Sequence, residues 1–372
     1  MAQPPNYVPF QRPPMRSGLH NVGKITYENG AMNMIKFNPS ATIQEEFAEQ
    51  VRQEHRSAVI MKTAPIIVLV GLVVVFLLAN GVAFIKPTNL VALLNQMALP
   101  LVVALGLTFV IMLGSIDLSI DGTVGMAGSL FACFVMNTQF ANNDFGIWAI
   151  PMTIAISAAC GLCVGLCHVY LRIPSFMASF AMMYICKGIG MLSYQGHPPT
   201  ITDPIFVALA KTQWLGIPFI TWVAVLMFIV CWYIQEYTAF GRHIYAVGTN
   251  ESIPRSVGVS VEKVKIGVFT LAGILFGVAG ILGAIRMGQG QIVIGTGKMF
   301  PAQAAVVVGG TSLSGGKGGV TNTIVGVLIM TVLDNGLIML GVNPNIRTGI
   351  QGLIILISVI LTAARGAKVI SK

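Results

Sequence analysis

The chain has 372 residues, of which 55% are apolar and only 9% are charged, whereas about a quarter of the residues in an ordinary soluble domain are charged. This composition argues against a water-soluble globule. The 41 glycines follow no three-residue period and lie within long apolar runs, so collagen and flexible linkers are excluded. The class that remains is an all-α, polytopic membrane protein, in which glycine is common where helices pack closely.

The net charge of +9 does not indicate a nucleic-acid partner, because the basic residues form no stripe on a soluble face. They lie in short segments between apolar runs, where they orient the chain in the lipid bilayer. All six cysteines fall in apolar runs, and we expect them to be reduced packing residues: Cys133, Cys160, Cys163, Cys167, Cys186 and Cys231. We expect no cleavable signal peptide, since the first apolar run begins near Val59.

Residues 1–57 differ in kind from the rest and contain five prolines within the first 14 residues and, further on, a charged stretch from Ile43 to His55. We predict a flexible cytosolic tail that ends in a short surface helix and whose function the sequence does not disclose. Residues 58–372 form the predicted membrane domain.

Crossing the hydrocarbon core of a bilayer takes about 20 helical residues. Ten apolar runs are candidate spans: Val59 to Ile85, Val91 to Leu113, Gly122 to Val135, Trp148 to Leu171, Pro174 to Tyr194, Ile217 to Ile234, Ile266 to Ile285, Pro301 to Leu313, Val320 to Leu340 and Ile350 to Ala364. The third and eighth runs are short and border glycine-rich segments, so we expect them to be discontinuous or re-entrant.

The basic residues predict a topology with both termini in the cytosol. With ten spans and a cytosolic N-terminus, most Lys and Arg residues fall on the cytosolic side. The opposite side carries Lys86, Lys211, Arg286, Lys298 and Arg347, and Lys187 lies inside the fifth span.

Two glycine-bordered segments resemble each other at a spacing of 195 residues. Gly114-Ser-Ile-Asp-Leu-Ser119 echoes Gly309-Gly-Thr-Ser-Leu-Ser314. In transporters, internal repeats with interrupted helices often meet at the substrate path. The similarity therefore indicates that both segments lie near that path. The second is no phosphate-binding loop, because Thr311 and Gly318 stand where the motif requires glycine and a hydroxyl residue.

Three acidic residues lie in or beside predicted spans, where a charged group is costly and is a functional candidate by default. Asp117 and Asp121 follow the second span, and Asp117 could instead cap the next helix. Asp334 lies within the ninth span beside Asn335, and both could serve either a wet path or contacts between helices.

No residues define catalytic chemistry. Cys160-x-x-Cys163 with Cys167 and His168 suggests a metal cluster on paper, but small residues on one helical face are more typical of close helix packing. No nucleophile elbow or triad is present. We therefore predict neither a metal nor a cofactor nor a catalytic residue.

The segment 235–265 is an unusually long polar connection between spans, and such connections are usually functional. Asn250 or Ser252 could cap a short helix on which Ile253 and Val257 form an apolar side. Such a helix is suited to docking into a groove of a partner protein.

Five ordered motifs resemble the permease subunits of bacterial ABC sugar importers of the ribose, galactose and xylose class. They cover about residues 60–366 and read Asp117-Leu-Ser119, Arg172-Ile-Pro-Ser-Phe-Met-Ala-Ser179, Phe240-Gly-Arg-His-Ile-Tyr-Ala-Val-Gly248 with Asn250 and Ser256-Val-Gly-Val259, Val308-Gly-Gly-Thr-Ser-Leu-Ser-Gly-Gly316, and Asp334-Asn-Gly-Leu337 with Leu340-Gly-Val-Asn-Pro344.

This resemblance implies an inner-membrane permease, as a homodimer or paired with a second permease, that works with a separate ATPase and a periplasmic or lipid-anchored sugar-binding protein. It places the ATPase-coupling residues at Phe240, Gly241, Arg242, Gly248, Asn250, Arg255 and Gly258. Candidates for the translocation path are Asp117, Ser119, Asp121, Thr311, Ser312, Asp334 and Asn335.

The chain departs from the family pattern at two positions. Pro254 stands where alanine is usual, and it is tolerated only if the coupling helix begins near Ser252. Asp334 stands where asparagine is usual. Alternative functions are a permease for a nucleoside or amino acid, an ion-coupled secondary transporter with the three acids as coupling groups, and a membrane-embedded enzyme.

Overall fold

The structure is a computed structural model that describes residues 25–28, 31–34, 63–140 and 144–366. The chain divides into two units, Met1–Ala58 and Val59–Lys372. In the first unit, strands β1 (Ile25–Glu28) and β2 (Ala31–Met34) form an antiparallel hairpin with Ile25 opposite Met34. The sequence analysis predicted no strand there, and its predicted helix at 43–55 lies outside the described residues.

Among the described residues of the second unit, seven helices are long and apolar enough to cross a membrane. They are α1 (Thr63–Ile85, whose last turn is the 3-10 helix Gly81–Ile85), α2 (Pro87–Met112), α4 (Ala149–Tyr170), α5 (Ser175–Tyr194), α7 (Phe219–Tyr237), α10 (Val261–Met287) and α12 (Val320–Met339).

Shorter elements connect these spans, together with one further long helix at the end. The helices are α3 (Ile120–Phe134), α6 (Pro204–Lys211), α8 (Ala239–Thr249), α9 (Ser252–Ser256), α11 (Met299–Val308) and α13 (Pro344–Gly366), with 3-10 turns at Gly146–Trp148 and Ile292–Ile294. Strands β3 (Gln213–Trp214) and β4 (Ile217–Pro218) form a small antiparallel ribbon.

The all-α, polytopic fold predicted from hydropathy is confirmed, and each of the ten predicted runs contains a helix. The third and eighth runs contain the short helices α3 and α11. The connection 235–265 contains the predicted short helix as α9, but it is more helical than the sequence indicated. Helix α7 runs on to Tyr237, α8 precedes α9, and α10 starts at Val261.

Helix α10 is the centre of the bundle, since 83% of its most apolar 18 residues are buried, compared with 6% for α1. It packs against α2, α3 and α4. Where it meets α4, a Cβ on Gly161 would lie 3.1 Å from the Cα atom of Gly273. Glycines at this crossing allow the two backbones to approach closely, as is typical of membrane helices.

Two helices begin inside the bundle after non-helical entry segments. Residues 113–119 run from the end of α2 alongside α5, where the N–H groups of Ile116 and Leu118 donate to Ser175 Oγ at 3.1 Å and Ser179 Oγ at 2.9 Å. Residues 288–298, which we call the re-entrant segment, run from α10 along α3 to the start of α11. Serine hydroxyls accept from the first segment, and the Pro199 carbonyl and the Asp121 carboxylate accept from the second. Buried non-helical segments in membranes require such partners.

Candidate functional site

The segment 309–319, which we call the glycine loop, packs against α8 and the end of α2. The Gly316 N–H donates to the Met112 carbonyl at 2.8 Å. A Cβ on Gly248 would overlap that same carbonyl oxygen. A Cβ on Gly114 would lie 3.4 Å from the Ser314 carbonyl oxygen, so the two echoing segments meet here.

Two side chains tie the glycine loop to the helices that precede it. The Tyr245 hydroxyl of α8 donates to the Gly318 carbonyl at 2.7 Å. Gln235 Oε1 of α7 accepts from the Val320 N–H at 2.6 Å, which satisfies one of the unpaired donors at the start of α12. Burial and the neighbouring Glu236 raise the pKa of Tyr245 to about 12, so its hydroxyl stays protonated at physiological pH.

A cavity of about 80 Å³ lies between three helices. Its lining residues are Gln96 and Pro100 of α2, Pro301 and Ala305 of α11, and Val327, Met330, Thr331 and Asp334 of α12. Its walls are mainly apolar with a few polar groups, as in small-molecule sites, but its volume is well below the ~300–1,000 Å³ of ordinary ligand pockets.

One polar residue of the cavity wall, Asp334, belongs to a hydrogen-bonded cluster with α13. Asp334 Oδ1 accepts from Arg347 Nη1 at 3.0 Å and from Gln351 Nε2 at 3.2 Å, both on α13. The Asp334 side chain is 37% exposed. Within the described residues, Gln96 Oε1 is buried without a hydrogen-bond partner. An orphan acceptor at a cavity wall is suited to receive a hydroxyl from a ligand.

The cavity and the glycine loop are connected through the three lining helices. Helix α2 ends at Met112 and α11 ends at Val308, while α12 begins at Val320. All three ends lie at the glycine loop, which α8 contacts. The glycine loop therefore lies between α8 and the three helices that line the cavity.

The acids predicted near the second span have different surroundings. Asp117 is 1% exposed, and its Oδ1 accepts from the N–H of Ser119 at 2.7 Å, directly before α3. Asp121 is 9% exposed and accepts three backbone N–H groups at residues 297–299. Neither carboxylate lines the cavity.

The other predicted path residues also make internal contacts. Thr311 is fully buried, and its Oγ1 accepts from the Gly319 N–H at 3.4 Å. Ser312 Oγ accepts from the Ser314 N–H at 3.3 Å. Asn335 is paired with Asn89. Of the seven candidates, only Asp334 lines the cavity.

The predicted coupling residues lie on α8, α9 and the turns after them. Helix α9 begins at Ser252, and its N-cap is Glu251 and not Asn250 or Ser252 as predicted. Asn250 Oδ1 accepts from the N–H of Ser252 at 2.9 Å, and Pro254 falls in the first turn, where proline is tolerated. Arg255 pairs with Glu262 at 2.7 Å. A second pair joins Lys265 to Glu251 at 2.6 Å.

Other members of the predicted coupling set pack against the bundle or face outward. A Cβ on Gly267 of α10 would lie 3.0 Å from the Phe240 ring. Gly241 is buried and Arg242 is exposed. Gly258 has a φ of +84°, which favours glycine in the turn that precedes α10.

The sequence analysis missed Gln96, Gln235, Tyr245 and Arg347. Gln96 and Gln235 carried a usable signal, because both are amides within or next to long apolar runs, where polar side chains mark contacts or paths. Arg347 and Tyr245 carried no comparable signal. Their partners Asp334 and Gly318 are distant enough in sequence that only the fold identifies them.

Known permeases match most of the chain. Residues 89–359 match the family described as the branched-chain amino acid transport system, permease component. The ribose import permease RbsC of Escherichia coli K12 is 33% identical over 299 residues, covering 79% of this chain and 92% of that protein. RbsC of Bacillus subtilis 168 is 34% identical over 325 residues, covering 87% and 99%.

A further relative is the galactose/methyl galactoside import permease MglC of Escherichia coli K12, which is 30% identical over 325 residues, covering 83% of this chain and 96% of that protein. No solved structure matches the chain. The helical spans and the relatives together define a class, the multi-pass permeases of the inner membrane. Within that class, the chain belongs to the family of branched-chain amino acid transport system permease components.

Proposed function

We propose that the chain is the membrane-spanning subunit of an ATP-driven importer that translocates a monosaccharide of the pentose or hexose class. The relatives that span most of its length are ribose and galactose import permeases. In the cavity, the carboxylate of Asp334 and the amide of Gln96 supply hydrogen-bond groups of the kind that sugar hydroxyls accept and donate.

The observation that carries the proposal is the direct connection between α8 and the cavity helices. ATP hydrolysis takes place on a separate ATPase subunit, which docks against α8 and α9. Ile253 and Val257 of α9 are 63% and 74% exposed, and apolar side chains on a short cytosolic helix are suited to a partner's groove. Closure of the ATPase displaces α8, and the glycine loop passes that displacement to α2, α11 and α12.

Sugar reaches the cavity from a periplasmic or lipid-anchored binding protein, and the path is completed by a second permease copy or a paired permease. The acids do not support coupling to an ion gradient, because Asp117, Asp121 and Asp334 are each held by hydrogen bonds within the chain.

The first test is co-purification with the ATPase and binding protein, followed by reconstitution and uptake of radiolabelled monosaccharides. We expect uptake that requires ATP and is competed by pentoses or hexoses. Competition by nucleosides or amino acids would show that the substrate is of that class and not a monosaccharide. Uptake by the chain alone would show that transport is not driven by ATP.

The docking surface has its own test. Replacing both Ile253 and Val257 with Glu should abolish co-purification of the ATPase, while insertion in the membrane is unchanged. Leu215 is a matched control, since it is 76% exposed in the turn between β3 and β4, on the side opposite to α9 in the predicted topology. L215E should retain the ATPase.

A further inference from the structure

Asp121 holds together two parts of the chain that are far apart in sequence. It lies in the first turn of α3, and its Oδ2 accepts from the N–H of Gly297 at 2.9 Å. Its Oδ1 accepts from Lys298 at 3.0 Å and from Met299 at 2.8 Å. With 9% exposure, these bonds are shielded from competing water, which strengthens charge-assisted hydrogen bonds.

These bonds supply the N-terminal cap of α11. Lys298 occupies the cap position, and its side chain makes no capping hydrogen bond. The first N–H groups of a helix need acceptors, and a negative charge is favoured at this end of the helix dipole. Asp121 meets both requirements from another helix.

The re-entrant segment follows α3 along the same path. A Cβ on Gly125 would lie 2.6 Å from the Ile292 carbonyl oxygen, and a Cβ on Gly128 would lie 2.7 Å from Ile294 Cδ1. A Cβ on Gly290 would overlap Ala132. No room remains between α3 and this segment at these positions, so the carboxylate completes an already close contact.

We infer that Asp121 is a positioning residue that makes α3, the re-entrant segment and α11 move as one body during transport. Helix α11 carries Pro301 and Ala305 into the cavity wall, so this link sets how far that wall can move independently of α3. The inference rests on the proposed function for its role in transport, while the link itself is a property of the chain.

The first experiment compares D121A with D203A in the full chain, reconstituted with its ATPase and binding protein. Asp203 is a matched control because it is also buried and caps a helix, α6, through the local N–H of Ile205. We expect D121A to lower the maximal uptake rate by about tenfold or more, as loss of hydrogen bonds to a charged group suggests, and D203A to stay near wild type. Equal uptake by D121A and wild type would overturn the inference.

A second variant separates capping from linking. Lys298→Ser gives α11 a local cap of a preferred type. In the double variant D121A/K298S we expect thermal stability to return while uptake stays low. Recovery of uptake to the level of K298S alone would show that Asp121 only caps α11 and would overturn the inference.

A third measurement does not depend on transport. Hydrogen–deuterium exchange of the purified complex should be faster at residues 297–299 in D121A than in wild type, and unchanged exchange would contradict the link. If D121A fails to assemble, D121N serves instead, since its remaining carbonyl oxygen can still accept from Lys298 and Met299. If wild-type chain takes up no monosaccharide, the proposed function fails and the exchange data still decide the link.

Discussion

The glycine loop and the cavity are built from different kinds of contact. At the glycine loop, bonds end on backbone groups: the carbonyl oxygens of Met112 and Gly318 and the N–H of Val320. At the cavity, Asp334 bonds to the side chains of Arg347 and Gln351, and Gln96 Oε1 has no partner within the described part of the chain. One region is closely filled by glycines, and the other contains a void.

This difference suggests that the glycine loop transmits movement and that the cavity binds the solute. Backbone contacts between close-packed segments have few alternative arrangements, so they pass on a displacement with little loss. Side chains around a void can exchange partners when a ligand enters, because each keeps some rotamer freedom. We therefore expect substitutions at the glycine loop to affect coupling and stability, and substitutions in the cavity to affect affinity for the solute.

The largest expected effect is at Gly248, where any Cβ overlaps the Met112 carbonyl oxygen. G248V should destabilise the chain by about 3 kcal/mol, as overpacking of a filled site does, and abolish ATP-dependent uptake. Thermal unfolding in detergent measures the first effect. Gly188 is the control, since it is a helical glycine of α5 at which an added Cβ would meet no atom within 4 Å, and G188A should keep or slightly raise stability, by up to about 1 kcal/mol.

At Asp334, removal of the carboxylate should act on the solute. D334A leaves Arg347 and Gln351 without their acceptor. We expect the KM for uptake to rise about tenfold. This is the low end of the effect of losing a hydrogen bond to a charged group, because the pair is partly exposed. D334N should stay close to wild type, since the amide oxygen can still accept. A lower maximal rate with unchanged KM would contradict the division between the two regions.

A smaller effect is expected at Tyr245, whose ring stays in place when only the hydroxyl is removed. Y245F loses one hydrogen bond to Gly318, worth about 1 kcal/mol, and should lower sugar transported per ATP hydrolysed. Y237F changes an exposed ring at the end of α7 and should keep the wild-type ratio.

The same hydroxyl predicts a pH dependence. The folded pKa of about 12 exceeds the ordinary value of about 10. The stabilisation by Tyr245 is therefore complete below pH of about 10 and is lost as pH rises toward 12. The difference in stability between wild type and Y245F should stay constant from neutral pH to pH of about 9, which thermal unfolding across that range would check.

The smallest effect is expected at the exposed ion pairs of α9. Arg255 and Glu262 have side chains that are 58% and 40% exposed, and exposed ion pairs contribute little to stability. E262Q should barely change thermal stability, and the change should vanish at high salt. A loss larger than that of Y245F would mean that this pair contributes more to stability than exposed ion pairs do.

Hydropathy and motif order together predicted the membrane fold, the ten helical runs and the short third and eighth helices. These properties depend on the composition of many consecutive residues, because a segment that crosses the bilayer must be apolar and must satisfy its own backbone hydrogen bonds. In the segment 235–265, the capping residue and the apolar pair predicted α9 but nothing predicted α8. Helix α8 contains Gly241 and Gly248, and glycine inside a helix weakens its local signal.

The pairings within the site could not be predicted. Asp117, Asp121 and Asp334 look alike as acids near apolar runs, yet their surroundings differ. Asp117 accepts from Ser119, directly before α3, whereas Asp121 caps the distant helix α11 and Asp334 lines the cavity. The partner of each is set by how helices cross, which depends on packing of many side chains at once. The echo at Gly114 and Gly309 was the exception, because a repeated interruption carries its own signal.

The cap on α11 also has a consequence for biosynthesis. Asp121 and its first donor, Gly297, are 176 residues apart. At ribosomal rates of about 5 to 20 residues per second, the donor emerges about 10 to 35 s after the acceptor. Throughout that interval α3 lacks the backbone donors at residues 297–299. We therefore expect α3 to be loosely packed in the nascent chain. The N-terminal half should complete its insertion only once the C-terminal half has been synthesised.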